Sequence, residues 1–497
     1  MESPEVSTQH PEVKIDSGIV RGRWRPTTGG RGAKQSAAFL GIPFAEPPIG
    51  ELRFAAPEPK APWDGVLDAS RYGATAQRAT DGVVLIPEPS IPGDSTLNVN
   101  VFTPDLNPAE TLPVMVWIHG GGFFAGSPAS PWYDGRNFNR DGIVTVTISY
   151  RLGFDGFGWI DGAPANRGVR DWLLALEWVQ RNVAAFGGDP SRVTIAGQSA
   201  GGGAVMTLLG MEAAQHLFHG VYAMSGFVAE GQISRAEEFG RSMAERAKVA
   251  PTLAGWRSVT EQHVLELQKK ATSMSFGMLR ATLEEGPPVG PVIDGELLHR
   301  PATESFRLGI GADKPLVLGT TDDEFTMVAS SPMVSNILRL VPTSTILKLL
   351  AVPTQARQRY LDANRDVVAN GKGRLVGRIL SDRMFRVSVP QIVDARGEAP
   401  TWTFRFSWPS GHFGFAGHCL DVPFFFDVLD GPSLGPLAGP NPPQSLADAV
   451  HEAAAAFISE GDPGWPREQP TASISRVYDI PIRDQADAYA SVRPLLP

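Results

Sequence analysis

The chain has 497 residues, 42% of them hydrophobic, and its 44 basic and 53 acidic residues give a formal net charge of −9. This length allows a large buried core, and the acidic balance argues against a nucleic-acid-binding protein, which usually carries a basic face. The single cysteine, Cys419, excludes an intrachain disulfide and a cysteine-based zinc site. We see neither a signal-peptide pattern nor an apolar run of about 18 residues, and therefore expect no membrane partner and a cytoplasmic location.

The predicted elements begin with a small hairpin, VKIDSGIVRGRWRP, whose polar turn falls at Asp16–Gly18. Residues 79–93 indicate an exposed loop. From Leu97 to Val205 strands and helices alternate, with strands at PVMVWI (113–118), IVTVTISY (143–150) and SRVTIAG (191–197), and helices at 168–185 and after Ser199. This alternation predicts an α/β fold with a large, mostly parallel central sheet flanked by helices.

The second half of the chain continues the sheet between two helical segments. Residues 230–280 and 332–395 are mostly helical in pattern, and we expect them to be excursions from the sheet. KPLVLG (314–319) and TWTFRFSW (401–408) predict further strands, and SLADAVHEAAAAFIS predicts a helix near the C-terminus. No linker divides the chain, so residues 1–497 are predicted to form a single domain.

The segment IAGQSAGGG (195–203) places Ser199 between Gly197 and Gly201, where a predicted strand ends and a helix begins. A serine hydroxyl becomes a nucleophile when a base removes its proton and its environment stabilises an oxyanion. The G-x-S-x-G corner supplies the tight turn and the exposed hydroxyl that this chemistry needs. Five-residue patterns also occur by chance, but the strand–turn–helix context favours a nucleophile over a structural serine.

A second glycine-rich segment, IHGGGFFAG (118–126), directly follows a predicted strand. On its own it could be a flexible turn. It is not a dinucleotide-binding fingerprint, because Ala125 stands where the third glycine of G-x-G-x-x-G should be. Together with the downstream serine, it indicates the backbone N–H donors of an oxyanion hole.

Four long motifs in correct order resemble the type-B carboxylesterase/cholinesterase family: GIPFAEPPIGELRF, WIHGGGFFAG, RNVAAFGGDPSRVTIAGQSAGG and PVIDG. The resemblance extends from about Val13 to Trp465. It implies an α/β-hydrolase fold, a Ser-His-Glu triad, and neither metal nor cofactor. The cysteines of secreted members are absent at both corresponding positions, Ala76 and Thr96, which agrees with a bacterial, intracellular member.

The resemblance assigns the reacting groups residue by residue. Ser199 matches the family's nucleophile, and the backbones of Gly121, Gly122 and Ala200 match its oxyanion-hole donors. The acid lies in a GTTxDE-like motif, here GTTDDE, which favours Glu324. From the residues alone, Asp322 or Asp323 could equally orient an imidazole.

The base must follow the acid if the chain order is serine, acid, histidine. This leaves His412, His418 and His451. GHCLDVPFFF resembles the family's His-x-x-Glu/Asp-x-Pro-Phe segment and selects His418. His412 lies in the same glycine-rich loop, and His451 is expected to be a surface or packing residue in a helix.

Other candidate residues have weaker signals. His119 is expected to order the glycine loop, Cys419 to be a small buried residue, and His216 and His219 to lie on a helix face rather than bind a metal. Ser225 matches a serine behind the triad of the family. Four aromatic residues are candidates for the pocket or for the core: Phe123, Phe124, Phe227 and Phe325.

The function predicted from these residues is a serine carboxylesterase acting on short-to-medium acyl or aryl esters. The same groups could hydrolyse carbamates or amides, so this alternative stays open. A catalytically inactive adhesion module is a remote third alternative, because such relatives typically lack the serine or the histidine. The expected partner is a small ester, with no cofactor and no nucleic acid, and the chain is expected to be a monomer or a small homo-oligomer.

Overall fold

The computed structural model describes residues 10–28, 32–76, 85–228, 231–272, 276–329, 332–469 and 472–496. The N-terminal stretch, residues 79–84 of the predicted loop, and residues 230 and 273–275 of the first predicted excursion lie outside the described residues. The described strands are β1 (Glu12–Ile15), β2 (Gly18–Arg21), β3 (Arg23–Pro26), β4 (Gln35–Pro43), β5 (Val66–Asp68), β6 (Asn98–Thr103), β7 (Leu112–Ile118), β8 (Val144–Ile148), β9 (Gly188–Gln198), β10 (Gly220–Met224), β11 (Gly231–Gln232), β12 (Val292–Ile293), β13 (Leu316–Thr321), β14 (Thr401–Phe406), β15 (Ile474–Tyr478) and β16 (Arg483–Ala486).

The helices surround these strands and fill the two excursions. They are α1 (Arg136–Arg140), α2 (Gly153–Phe157), α3 (Arg167–Asn182), α4 (Ala200–Leu209), α5 (Ile233–Ala247), α6 (Leu253–Arg257), α7 (Glu261–Ala271), α8 (Phe276–Glu285), α9 (Ala302–Arg307), α10 (Thr326–Ala329), α11 (Pro332–Leu340), α12 (Thr343–Leu349), α13 (Arg357–Ala363), α14 (Arg365–Ala369), α15 (Lys372–Ser381), α16 (Ser388–Arg396), α17 (Val422–Phe425), α18 (Gly435–Ala438) and α19 (Gln444–Glu460). A π-helical turn, Asp382–Arg386, joins α15 to α16.

The main sheet, within the described residues, has the strand order β16-β15-β14-β13-β10-β9-β7-β8-β6-β4-β3. The strands from β8 to β15 in this order run parallel. Antiparallel pairs add β16 at one edge and β6, β4 and β3 at the other. The mostly parallel central sheet predicted from the sequence is confirmed, as is the first hairpin, in which β1 pairs antiparallel with β2.

The hydrophobic periodicity of α3 explains how the sheet is covered. Val169, Trp172, Leu176 and Val179 recur at helical spacing, and all four side chains are buried. The predicted helix ends earlier than expected, at Asn182, and a 3₁₀ turn carries the chain through Val183–Phe186.

The excursions are helical as predicted, at α5–α8 and α11–α16. The second excursion has its own apolar cluster, which includes Ile346, Tyr360 and Ile379. Most of this excursion packs around that cluster, whereas Val389 and Ile392 of α16 join the main core beside the sheet.

Parallel strands have all their carboxyl ends at the same end of the sheet, and open α/β sheets usually bind ligands there. Here the glycine loop follows β7, Ser199 follows β9, and Glu324 follows β13. His418 lies in the loop after β14. The topology thus brings four distant segments of the chain to the same place.

Candidate active site

Ser199 occupies the sharp corner between β9 and α4 with φ 59° and ψ −122°, a combination that non-glycine residues rarely adopt. Its N–H donates to the carbonyl of Met224 at 2.9 Å, and its own carbonyl accepts from the N–H of Gly203 at 2.9 Å. These two bonds hold the strained residue between β10 and α4. The side chain is therefore presented at the end of the sheet rather than packed into the helix.

The glycines on either side of Ser199 are required by close backbone contacts. A Cβ on Gly197 would lie 2.4 Å from the carbonyl oxygen of Gly201. A Cβ on Gly201 would lie only 2.0 Å from the carbonyl oxygen of Ile118. Because backbone atoms cannot yield as a flexible side chain can, only glycine fits at these positions.

A continuous chain of hydrogen bonds joins Ser199, His418 and Glu324. The Oγ of Ser199 lies 2.9 Å from Nε2 of His418, and Nδ1 of His418 contacts Oε2 of Glu324. A carboxylate only accepts, so in the neutral form of His418 Nδ1 carries the proton and Nε2 accepts from the serine, an assignment made from the network. The side chain of Glu324 is fully buried, and Ser199 and His418 are 9% and 5% exposed.

The carboxylate of Glu324 has two further partners. Its Oε1 accepts from the hydroxyl of Ser225 at 2.6 Å and from the N–H of Thr321 at 2.9 Å. The backbone adds a fixed link, because the N–H of His418 donates to the carbonyl of Glu324 at 3.0 Å. One carboxylate oxygen is thus occupied by the scaffold while the other faces the imidazole.

The rival acids and histidines lie elsewhere. Asp322 pairs with Arg405, and Asp323 pairs with Arg374. His412 packs edge-on against Phe413. His451 is buried, with Nδ1 2.7 Å from the carbonyl of Phe425 and Nε2 3.0 Å from Asp141. Among the candidates raised from the sequence, only Glu324 and His418 meet Ser199 in one hydrogen-bonded chain.

The surroundings of His418 favour its protonated form. Burial works against the imidazolium, but the neighbouring Cys419 and the carboxylate of Glu324 outweigh it and raise the pKa of His418 well above 6.5. Burial raises the pKa of the Cys419 thiol, which is therefore uncharged near neutrality, so we assign the effect on His418 to Glu324. Burial and the charge of Glu324 also raise the pKa of Asp421 to about 7.

The glycine loop after β7 lies against the serine corner. A Cβ on Gly120 would lie 3.1 Å from the Cβ of Ser199. Gly121 and Gly122 have φ of 108° and 62°, which suit glycine and turn this part of the backbone. Ala200 is the first residue of α4, so its N–H belongs to the free donors of a helix N-terminus.

His119 has a structural place in this loop. Its side chain is buried, its ring stacks on Tyr150 with centroids 4.5 Å apart, and its carbonyl accepts from the Tyr150 hydroxyl at 2.9 Å. Nδ1 lies 2.8 Å from the carbonyl of Gly120. These contacts agree with the ordering role expected from the sequence.

An arc of aromatic rings extends from the glycine loop to the histidine. Phe123 packs against Phe227 at 5.7 Å, Phe227 against Phe385 at 6.3 Å, and Phe385 against Phe325 at 5.4 Å, all between ring centroids. The rings of Phe325 and Phe385 lie 5.1 Å and 5.0 Å from that of His418. We call these four phenylalanines the aromatic arc. Phe124, by contrast, is 46% exposed.

Two residues of this region were not found from the sequence. Gln198 lies with Nε2 3.5 Å from Nε2 of His418, and its Oε1 accepts from the thiol of Cys419 at 3.5 Å. Its position directly before Ser199 was the available signal. Phe385 gave no signal, because only the π-helical turn brings it to the histidine.

The described residues contain no group of three or more His, Cys, Asp or Glu side chains able to hold a metal ion. His216 and His219 were expected on a helix face, but they lie in the loop between a 3₁₀ turn, Glu212–Ala214, and β10. The expectation was wrong because the helical pattern around them ends one turn earlier. Within the described part of the chain, no helix is long and apolar enough to cross a membrane.

The mostly parallel sheet, with a strained serine on the turn after one of its strands, defines the class as an α/β-hydrolase fold. The model of the Carboxylesterase family matches residues 9–478, and the chain belongs to this family. It is similar to the para-nitrobenzyl esterase of Bacillus subtilis (strain 168), with 30% identity over 92% of this chain and 94% of that protein. It is also similar to the phenmedipham hydrolase of Pseudarthrobacter oxydans, with 31% identity over 86% of each chain.

Solved structures agree with these relatives. The carboxylesterase EST55 of Geobacillus stearothermophilus superposes with a TM-score of 0.81 at 28% identity, over 98% of this chain and all of that one. The chain is a carboxylic ester hydrolase by these comparisons.

Proposed function

We propose that this enzyme hydrolyses esters through an acyl-enzyme on Ser199, with His418 as base and Glu324 as the group that orients it. The observation that carries the proposal is the hydrogen-bonded chain from Ser199 Oγ through the imidazole to the buried carboxylate. The strain at Ser199 supports it, because such strain concentrates at functional residues.

In the first half of the reaction, Ser199 Oγ attacks the ester carbonyl carbon while its proton passes to Nε2 of His418. The carbonyl becomes an oxyanion, which accepts hydrogen bonds from the backbone N–H groups of Gly121, Gly122 and Ala200. Collapse of this intermediate breaks the bond to the alcohol oxygen, which takes the proton from His418. Throughout, Glu324 keeps the imidazole in the correct tautomer and stabilises its charged form.

In the second half, His418 takes a proton from water as the water oxygen attacks the acyl carbon. The second oxyanion collapses, the acid leaves, and the proton returns to Ser199. No metal or cofactor takes part in these steps. The raised pKa of His418 favours the imidazolium that both halves pass through.

We propose short-to-medium acyl or aryl esters as substrates. The aromatic arc supports this assignment, because two of its apolar rings, the half-buried Phe325 and the buried Phe385, lie about 5 Å from the imidazole and would limit the space for long chains. A relative is named for para-nitrobenzyl esters, which are aryl-bearing substrates. The rings would pack against such groups with the geometry that aromatic pairs prefer.

The remaining parts of the proposal concern organisation. We propose one domain over residues 1–497, acting on a small ester in the cytoplasm of a bacterium, as a monomer or small homo-oligomer. The single long sheet that draws strands from both halves of the chain supports the single domain. The lone cysteine supports a reducing compartment.

The test is a set of initial rates on p-nitrophenyl esters from acetate to decanoate, with one aryl carbamate, for the unaltered enzyme and Ser199→Ala. We expect turnover of the shorter esters and its loss in the variant. Ser258→Ala is the matched control, because Ser258 is exposed at the end of α6. Full activity of Ser199→Ala would refute the proposed nucleophile, and carbamate turnover equal to that of the esters would move the assignment to carbamates.

A further inference from the structure

One face of helix α15 packs against the loop that carries Glu324. Four residues at helical spacing reach this loop: Arg374, Gly377, Arg378 and Ser381. The Ser381 hydroxyl accepts from the N–H of Phe325 at 3.2 Å. A Cβ on Gly377 would lie 2.4 Å from Cα of Thr326, so the helix and the loop touch through their backbones.

The two arginines of this face meet one carboxylate. A guanidinium nitrogen of Arg374 lies 3.1 Å from Oδ2 of Asp323, and one of Arg378 lies 3.5 Å from Oδ1. The side chain of Asp323 is 6% exposed, whereas that of Arg374 is 28% exposed. Asp323 directly precedes Glu324, so its ion pairs fix the backbone from which Glu324 projects.

Arg374 also contacts the loop that carries His418. Its guanidinium carbon lies 4.9 Å from the ring centroid of Phe415, a cation–π contact. The two loops are joined nearby, because the N–H of Asp323 donates to the carbonyl of Ala416 at 2.9 Å. One arginine of an excursion helix therefore touches both segments that bring the acid and the base together.

We propose that Arg374, through Asp323 and Phe415, is a positioning residue that holds Glu324 and His418 at their working separation. This inference rests on the proposed function of those two residues. It also assigns a task to the second excursion, which then supports the reacting groups as well as covering them.

The ion pair is partly buried, with Asp323 6% and Arg374 28% exposed, and Arg378 remains beside the carboxylate when Arg374 is replaced. The value of the Arg374–Asp323 pair lies in geometry, because a small displacement of a reacting group costs a large factor in rate. The charges of Arg374 and Asp323 also act on the imidazole of His418 through space. Removing the cation of Arg374 would leave the Asp323 carboxylate less compensated and favour the imidazolium of His418, whereas removing the anion of Asp323 would act in the opposite sense.

Other charged groups surround this pair and stay constant in the test. On the acid loop, Asp322 pairs with Arg405 from β14 and lies 3.8 Å from Arg386 of the π-helical turn. On the histidine loop, Cys419 and Asp421 are the neighbouring titratable groups. Gln198, Phe325 and Phe385 also lie beside His418 and are uncharged.

The experiment compares Arg374→Met, Arg374→Lys, Asp323→Asn and the double variant D323N/R374M with the unaltered enzyme. Arg365→Met is the matched control, because Arg365 lies on the same excursion in an exposed ion pair with Asp362 at 3.1 Å. Each variant is measured for its melting temperature, for kcat and KM on a p-nitrophenyl ester, and for the pH dependence of kcat/KM. The rate at which a fluorophosphonate labels Ser199 is a separate measure of the nucleophile.

We expect Arg374→Met to lower kcat about tenfold with KM nearly unchanged, and Arg374→Lys to recover part of the loss. The acidic limb of kcat/KM is expected to move to higher pH in Arg374→Met, to lower pH in Asp323→Asn, and to return in the double variant. A purely structural role would not produce opposite shifts.

Equal kinetics and pH profiles for Arg374→Met and Arg365→Met would overturn the inference. So would a fall in kcat that merely follows a fall in melting temperature, with limbs that do not move. If the unaltered enzyme itself neither turns over esters nor reacts with the fluorophosphonate, the proposed function fails instead. The two failures are therefore distinguishable.

Discussion

The hydroxyl of Ser225 donates to Oε1 of Glu324 at 2.6 Å, while Oε2 of the same carboxylate meets the imidazole of His418. Ser225 follows β10 and has φ 45°, a left-handed conformation that directs it toward β13. Strand β10 also supplies the Met224 carbonyl that holds Ser199. One strand end thus secures both the nucleophile and the acid.

Replacing Ser225 by alanine should lower kcat several-fold with little change in KM. The variant removes one of the bonds that fix the Glu324 carboxylate, and a buried hydrogen bond to a charged group contributes about 1.5–3 kcal/mol to the free energy of unfolding. Steady-state kinetics and chemical denaturation measure the two effects. Ser258→Ala should change neither, and an unaltered kcat in Ser225→Ala would show that Thr321 alone suffices to hold the acid.

The dependence of kcat/KM on pH should have its acidic half-point above pH 6.5. The base must be neutral to accept the serine proton, and the pKa of His418 is raised well above 6.5, so activity is lost as pH falls through that raised value. The half-point is measured from kcat/KM against pH for two esters with different leaving groups, and both esters should give the same value. A half-point well below 6.5 would contradict the electrostatic assignment.

Asp421→Asn should make the protein more stable above pH 7. In the folded state, burial and the charge of Glu324 raise the pKa of Asp421 from 3.8 to about 7, against the smaller opposing effects of His418 and of the backbone N–H groups of Asp421 and Val422. The native state therefore binds the proton more tightly, so the stability from this group is complete below the unfolded pKa and declines until pH 7. The lost amount is on the order of 4 kcal/mol.

Denaturant unfolding of Asp421→Asn between pH 4 and 8 tests this linkage. Plotted against pH, the free energy of unfolding of the variant should vary less than that of the unaltered protein and should be higher at pH 8. Asp394→Asn serves as the control, because Asp394 is exposed on α16. Parallel curves for the two proteins would remove Asp421 as a source of pH dependence.

Gly201→Ala should destabilise the fold and abolish esterase activity. The added Cβ would lie 2.0 Å from the carbonyl oxygen of Ile118, so β7 or α4 must move, and overpacking of this kind costs about 1–3 kcal/mol or more. Gly435→Ala in α18 should be tolerated, since a Cβ there meets nothing within 4 Å. Thermal unfolding and ester turnover give the comparison, and an active, stable Gly201→Ala would contradict the packing of the serine corner.

Phe325→Ala and Phe385→Ala should shift the preference toward longer acyl chains. Each removes a ring about 5 Å from that of His418 and opens space beside the reacting groups. The ratio of kcat/KM for decanoate to that for acetate should rise in both variants. Leu308→Ala removes an apolar side chain that is 62% exposed and should leave the ratio unchanged. An unchanged ratio in all three would place the acyl chain elsewhere.

The sheet and the serine corner could be predicted because their signals are local. Apolar runs predict β7, β8, β9, β13 and β14. The glycines around Ser199 are required by backbone contacts within a few residues of the corner or with the neighbouring strand. The resemblance to a family then selected Glu324 over the adjacent aspartates. In the structure these three consecutive acids point to different partners, which the residue types alone could not show.

The parts that escaped prediction depend on long-range packing. Arg374 is one of many arginines in a helical segment, and nothing local marks it as the residue that meets both loops. Phe385 reaches His418 only because a π-helical turn shifts the register of the helix. His216 and His219 were misplaced on a helix because the pattern around them is too short to distinguish a helix from a turn.

Cys419 is the only cysteine of the chain, it is buried, and it directly follows the proposed base. Because no other thiol competes, the rate of its modification by an aromatic disulfide reports how often the histidine loop opens to solvent. Cys419 is thus a native reporter group beside the proposed base. Inhibitors that close the loop should slow this reaction, so their binding could be followed without a substrate and without an engineered label.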